Sequence, residues 1–189
     1  STTAASRLSR SPTTSAGRWF DAAAAMLGLC SHMDYEAQAA MLLEQAAQAH
    51  IARHGWPAPL APGWRIRSTA AGLSELDLLP LLGTLADTAR TPDSAAQGAA
   101  LFHATLVDAL AEWASAQAHT LGLDAVALGG GCFLNALLST RLQAQLQARG
   151  LRVLRPVRVS PGDGGIALGQ AWVAQQFLEN PHHASCTPV

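Results

Sequence analysis

The stretch Asp124-Ala125-Val126-Ala127-Leu128-Gly129-Gly130-Gly131-Cys132-Phe133-Leu134-Asn135 decides how this chain is read. A short apolar run ends in three glycines and passes into residues 133–149, whose apolar positions recur at helical spacing. The pattern predicts a buried strand over 124–128, a tight turn and a helix. Glycines without Cβ atoms let the backbone turn sharply and bring its N–H groups against an anion at the positive end of the helix. In isolation such a turn is as often a mere connection. The dinucleotide fingerprint GxGxxG is not met, and no acidic residue follows about twenty positions later. Asn135, read as lying one turn into the helix, could reach a ribose hydroxyl or a phosphate, or face solvent.

Downstream, a second strand is expected over 151–154, resuming at 157–159. The turn Ser160-Pro161-Gly162-Asp163-Gly164-Gly165 follows, then a helix over 166–178. Strand, glycine loop, helix, repeated twice, argues for an α/β domain with helices packed on a sheet. Asp163 is the one carboxylate between Asp124 and Glu179 and sits at the head of a helix. Position alone favours an N-cap, the commoner role of aspartate there; the alternative is a ligand for a metal or its bound water.

Upstream, residues 17–27 read as a helix closed by Gly28 and Ser31, and 35–54 as a second helix with Asp34 as N-cap. Residues 55–63 carry three prolines and read as a loop, followed by a strand over 64–67 and a helix over 78–89. Thr91 and Asp93 offer caps for a long helix to 119, with Leu101, Leu106, Leu110 and Trp113 on its buried side. Residues 1–16 read as a lead-in and 181–189 as a polar tail, leaving 17–180 as the domain.

Composition narrows the chemistry. Of 189 residues 49% are hydrophobic, enough for a substantial core, and the net charge of -1 with 13% charged residues argues against a nucleic-acid partner. All twelve basic residues are arginine. The missing lysine excludes a P-loop and Schiff-base chemistry run by this chain alone, so phosphate must be held by backbone N–H groups, arginine or a metal. Cys30, Cys132 and Cys186 form no CxxC pair, and no long apolar run or signal-peptide pattern occurs. These features point to a cytoplasmic protein with no membrane contact.

Among single residues, Asp21 lies one turn after Arg18 and either faces a cleft or pairs with that arginine on the surface. His50 and His54 could form the edge of a metal site, but no third ligand suggests itself. Cys132, beside the glycine turn and without a histidine partner, reads as a small buried residue rather than a nucleophile.

Several segments resemble, in order, those of the HypF carbamoyltransferase family. Thr14-Ser15-Ala16-Gly17-Arg18-Trp19-Phe20-Asp21-Ala22 with Met26-Leu27-Gly28-Leu29 resembles TSSAGRLFDAVAALLGL, and Tyr35-Glu36-Ala37-Gln38-Ala39-Ala40 resembles YEGQAA. Phe102-His103-Ala104-Thr105-Leu106 resembles FHATL, the Leu128 to Asn135 segment resembles LSGGVFQN, and Asp163-Gly164-Gly165-Ile166-Ala167-Leu168-Gly169-Gln170 resembles DGGIALGQ.

The resemblance implies part of an actin-like ATPase (ASKHA, ribonuclease H-like) α/β domain with a helix-rich insertion, related to the tRNA-modifying TsaD proteins. It implies carbamoyl transfer from carbamoyl-adenylate, made from ATP, to the C-terminal cysteine of HypE, a step toward the cyanide ligands of nickel-iron hydrogenase. By position in the motifs, Gly129, Gly130 and Gly131 would belong to the nucleotide loop and Asn135 to the adenosine side. Asp21 would line the cleft, and Asp163 would help to hold a divalent metal, whether iron, zinc or magnesium. The family's N-terminal domains and paired metal-binding histidines have no counterpart here, so the chain alone should be inactive. A TsaD-like transferase subunit or a non-catalytic nucleotide-binding fragment would share the fold, and the FHATL and YExQAA segments favour HypF over TsaD. Three departures stand out: Ala37 for the glycine of YEGQ, Gly130 in the serine-glycine region, and Gly162 where asparagine is usual.

Overall fold

The computed structural model describes residues 15–70, 72–88 and 91–179, so the expectations for most of the lead-in and for the polar tail lie outside the described residues. Its centre is a helical bundle. Helix α1 (Ala16–Met26) buries Phe20, Ala23 and Ala24, and α2 (Gln38–His54) buries Ala39, Leu43 and Ala47 at intervals of four. Such spacing puts one narrow stripe of each helix against a neighbour.

A two-stranded antiparallel hairpin follows, β1 (Arg65–Ser68) and β2 (Ser74–Asp77), with Arg65 opposite Asp77 and Ser68 opposite Ser74. The short helix α3 (Leu79–Ala86) comes next, its first N–H bonded to Asp77 Oδ1 at 2.9 Å.

Helix α4 (Pro92–Leu121) is the 30-residue axis of the molecule. Thr91 caps it by accepting from the Ser94 N–H, and Pro92 occupies a position where the absent N–H costs nothing. From Ala95 to Val107 it is buried on nearly every side, which the alanines permit by letting neighbours approach. At Gly98 the approach is close: a Cβ there would meet Leu27 Cδ2 at 2.5 Å. The indole N–H groups of Trp113 and Trp64 donate to Ser74 Oγ and Glu112 Oε2, pinning the hairpin region to α4.

The last third holds β3 (Ala125–Ala127), a short 3-10 helix (Gly131–Leu134), α5 (Ala136–Ala148), β4 (Arg152–Leu154), a 3-10 turn (Asp163–Gly165) and α6 (Ile166–Glu179). β3 and β4 are parallel, Val126 opposite Val153, and α5 provides the crossover that parallel strands require.

The class is therefore mixed α/β, but mostly helical, and among the described residues each sheet has only two strands. The expected strand over 157–159 is a series of bends, and β2 was not anticipated. The expected helix start at Tyr35 is also displaced. Residues 35–37 form a turn, Ala37 stands at φ 64°, and Asp34 does not cap α2. Gln38 reaches back instead, its Oε1 accepting from the Asp34 N–H at 2.7 Å.

Candidate functional site

Glycine turn and helix do form as the sequence implies, but the donors at the start of α5 are already used. Asn135 is the N-cap of α5, not a residue inside it, and it is buried. Its Oδ1 accepts from the Leu138 N–H at 2.8 Å. From 92 residues away, Glu44 Oε1 on α2 accepts from the Ala136 N–H at 2.7 Å and the Leu137 N–H at 3.4 Å. The positive end of α5 thus faces a carboxylate of the protein itself, which satisfies the same dipole that would attract a phosphate.

In front of this junction lies a cavity of about 550 Å³, walled by α1, α2 and the 3-10 helix. Phe20, Ala40, Met33, Met41 and Leu134 supply apolar surface, while Arg18, Asp21, Glu36, Glu44 and Asn135 bring polar groups to it. Largely apolar walls with a few converging polar groups are what a small-molecule site requires. Asp21 both lines the cavity and accepts an ion pair from Arg18 at 3.0 Å, so the two roles weighed for it coexist.

Of the other sequence candidates, Gly131 and Asn135 line this cavity. Gly129, Gly130 and Asp163 do not. Gly130 donates its N–H to Pro161 O at 2.6 Å, and a Cβ on Gly162 would lie 3.3 Å from Gly131 Cα, so the two glycine loops touch. The Gly130 N–H is therefore committed within the protein. Asp163 is exposed and begins the 3-10 turn, whose N-cap position is Gly162 with no side-chain cap, so the capping role expected of Asp163 is not observed.

Gly130 has φ 107° and ψ 158°, a conformation suited to glycine. Open space surrounds its would-be Cβ, so substitution acts through backbone strain rather than a clash. Gly130→Val is expected to lose about 1–3 kcal/mol in urea denaturation and to disrupt the contact with Pro161. A variant of wild-type stability would show that the backbone can relax there freely.

Ala37, another cavity residue, is the non-glycine residue with positive φ among those described. Left-handed backbone costs a residue with a Cβ about 1–2 kcal/mol, partly offset by the greater freedom of glycine in the unfolded chain. Ala37→Gly should gain up to about 1 kcal/mol in urea midpoint analysis and, by removing a methyl from the wall, tighten ligand binding. Lower stability would refute the strain argument.

Cys132 lines the cavity, with its thiol pKa pushed up by burial and secondarily by the Asp21 charge, which keeps it protonated and a poor nucleophile. The His50 and His54 rings lie 4.7 Å apart, yet no group of three His, Cys, Asp or Glu side chains that could hold a metal occurs among the described residues. The described residues therefore do not fit a complete metal site, and Asp163 could contribute one ligand at most.

Sequence reasoning missed Glu44, whose role depends on a contact with no local signature. It also missed the partner of Asn135: behind the cavity wall, the buried His103 ring of α4 accepts from Asn135 Nδ2 at 3.0 Å.

Comparisons with known proteins bear on this arrangement. A protein-family model described as "Carbamoyltransferase, Kae1-like Domain, second subdomain" matches residues 1–170. The chain is 49% identical over 160 residues to a carbamoyltransferase HypF homolog of Cupriavidus necator, covering 85% of this chain and 40% of that protein. It is 42% identical over 170 residues to carbamoyltransferase HypF of Rhizobium leguminosarum bv. viciae, covering 90% of this chain and 21% of that one. Among solved structures, full-length HypF in a phosphate- and nucleotide-bound form superposes with a TM-score of 0.71 at 29% identity, covering 88% of this chain and 21% of that chain. The chain thus spans well under half the length of these relatives.

Proposed function

Since the chain belongs to the Kae1-like carbamoyltransferase domain family, as its second subdomain, we propose that it forms one wall of a nucleotide cleft. In that cleft a carbamoyl group passes from carbamoyl-adenylate to the C-terminal cysteine of HypE during hydrogenase maturation. The observation that carries this reading is the cavity itself. It is assembled from three segments distant in sequence, around Phe20 and Asp21, around Ala37 and Glu44, and around Gly131 and Asn135. Each includes residues of a segment that resembles HypF, Glu44 lying four residues beyond the second of them. A phosphate- and nucleotide-bound form of full-length HypF, similar to this chain over 21% of its length, supports a nucleotide as the ligand; adenine is our assignment.

The fold we assign is half of an actin-like (ASKHA) domain. Two features support a second half: among the described residues no further strand pairs with β3 or β4, and α6 exposes Trp172, Phe177 and Leu178. A preceding subdomain, supplied by the rest of a HypF-type protein, would cover both and bring the adenylate-forming domain. No described helix is long and apolar enough to cross a membrane.

In transfer, the thiolate of HypE attacks the carbamoyl carbon, the bond to the AMP phosphate oxygen breaks, and AMP leaves. The share of this chain is to hold the nucleoside against Phe20 and Asn135 while that occurs. A divalent metal would be completed by residues outside the described set, and no step is assigned to it.

Calorimetric titration with AMP tests the reading: this chain is expected to bind weakly and, given HypE tail peptide, to transfer nothing. No heat of binding at millimolar AMP would oppose it. Asp163 is tested in the full-length enzyme. Being exposed, Asp163→Asn should change stability by less than about 0.5 kcal/mol. If the carboxylate is needed at the metal, transfer and metal content fall sharply; normal values for both would remove Asp163 from the site.

A further inference from the structure

The cavity wall has a hidden second layer. His103 is fully buried on α4, its ring packed edge-on against Phe102 and Phe20, with centroids 5.5 and 5.9 Å away. Its Nδ1 lies 2.8 Å from the Ala99 carbonyl oxygen, and its Nε2 lies 3.0 Å from Asn135 Nδ2.

The protons in this chain of contacts can be placed by logic alone. A carbonyl only accepts, so Nδ1 carries the ring hydrogen, and in the neutral imidazole Nε2 is then an acceptor. The Asn135 atom facing Nε2 must donate, which makes it the amide nitrogen. From the other side, the Leu138 N–H can only donate, so the Asn135 atom facing it must be the oxygen. The two determinations are independent and agree. The Asn135 amide is held at both ends, and one Nδ2 hydrogen remains.

We propose that His103 is a positioning residue that locks the Asn135 amide, so that the cavity meets its ligand with an N–H donor rather than a carbonyl. The complementary ligand atom is an acceptor on a nucleoside, a ring nitrogen or a ribose oxygen. This rests on the nucleotide reading of the cavity. Without the imidazole lone pair, rotation of the Asn135 amide is opposed only by the bond to Leu138.

The test measures AMP affinity of this chain in wild-type form, as His103→Phe and as His103→Gln. Phenylalanine keeps the ring and removes both hydrogen bonds, whereas glutamine can donate to Ala99 O and accept from Asn135. A loss of about tenfold or more in His103→Phe is expected, with recovery to within about threefold in His103→Gln. Equal affinity of wild type and His103→Phe would overturn the proposal. So would failure of glutamine to restore binding in a folded protein.

Long-range proton–nitrogen NMR of the wild type supplies an arm independent of any variant's folding. It should show His103 as the Nδ1–H tautomer, and the Nε2–H tautomer would overturn the proposal. Absence of AMP binding in a wild type with the expected tautomer would instead sink the nucleotide reading and leave the positioning geometry supported.

Discussion

Phe102→Ala is expected to lower stability by about 3–5 kcal/mol, the largest loss at any position considered. Phe102 is fully buried on α4 and meets Phe20 in an edge-on pair with centroids 5.1 Å apart. Truncation removes the transfer energy of the ring, leaves a cavity at the junction of α1 and α4, and forfeits the aromatic pair. Because Phe20 also lines the cavity, AMP affinity, if AMP is its ligand as proposed, should fall together with stability. Urea denaturation measures the first effect and calorimetry the second. A loss below about 1 kcal/mol would mean that neighbouring helices close the gap and no cavity remains.

Acid should act through one side chain more than through any other titrating group in the core. Burial removes water from the charged imidazolium of His103 and lowers its pKa to about 4, while the hydrogen bond to Ala99 O works weakly in the opposite direction. An unfolded chain would protonate the same histidine near its ordinary value of 6.5. Between these values the unfolded state binds the extra proton, so stability is full above about pH 6.5 and declines as pH falls toward about 4. The displacement corresponds to roughly 3 kcal/mol. Urea midpoints at several pH values should fall more steeply for wild type than for His103→Gln, which lacks the titration. Parallel pH profiles for the two proteins would refute the assignment.

The parts of this molecule legible in its sequence are those governed by neighbours in the chain. Thr91, Pro92 and Asp93 announce the start of α4 because capping and proline geometry act within one turn. The apolar run, glycines and helix around 124–148 announce β3, the turn and α5 for the same reason. Asp34 misled because an aspartate before a helical pattern looks like a cap. The chain instead uses Gln38 in reverse, an option that depends on the turn taken by Ala37. Strand β2 went unread because Ser74-Glu75-Leu76-Asp77 is short and polar, and it exists by pairing with β1.

At the site, the sequence named some of the residues that meet at the cavity and could not show the contacts that tertiary packing gives them. Asp21, Gly131 and Asn135 meet at the cavity, and the first N–H groups of α5 donate to Glu44, a partner that no local pattern announces. Nothing within 90 residues of Ala136 could reveal that. The bond from Gly130 to Pro161 and the bond between His103 and Asn135 likewise follow from tertiary packing, with sequence separations that no local pattern spans.

The exposure of α6 sets how the chain opens. None of its fourteen residues is buried, and Leu178 is 85% exposed. A helix of that length without a packed face is marginal in water, since nucleation is costly and propagation gains little per residue. Its amides should therefore exchange with solvent through local fraying at almost no free-energy cost, while those of α4 wait for global opening. Helical signal from the whole chain would then melt in two parts, a gradual one from the last helix and a cooperative one from the bundle. Only the second reports the stability of the helices that wall the cavity.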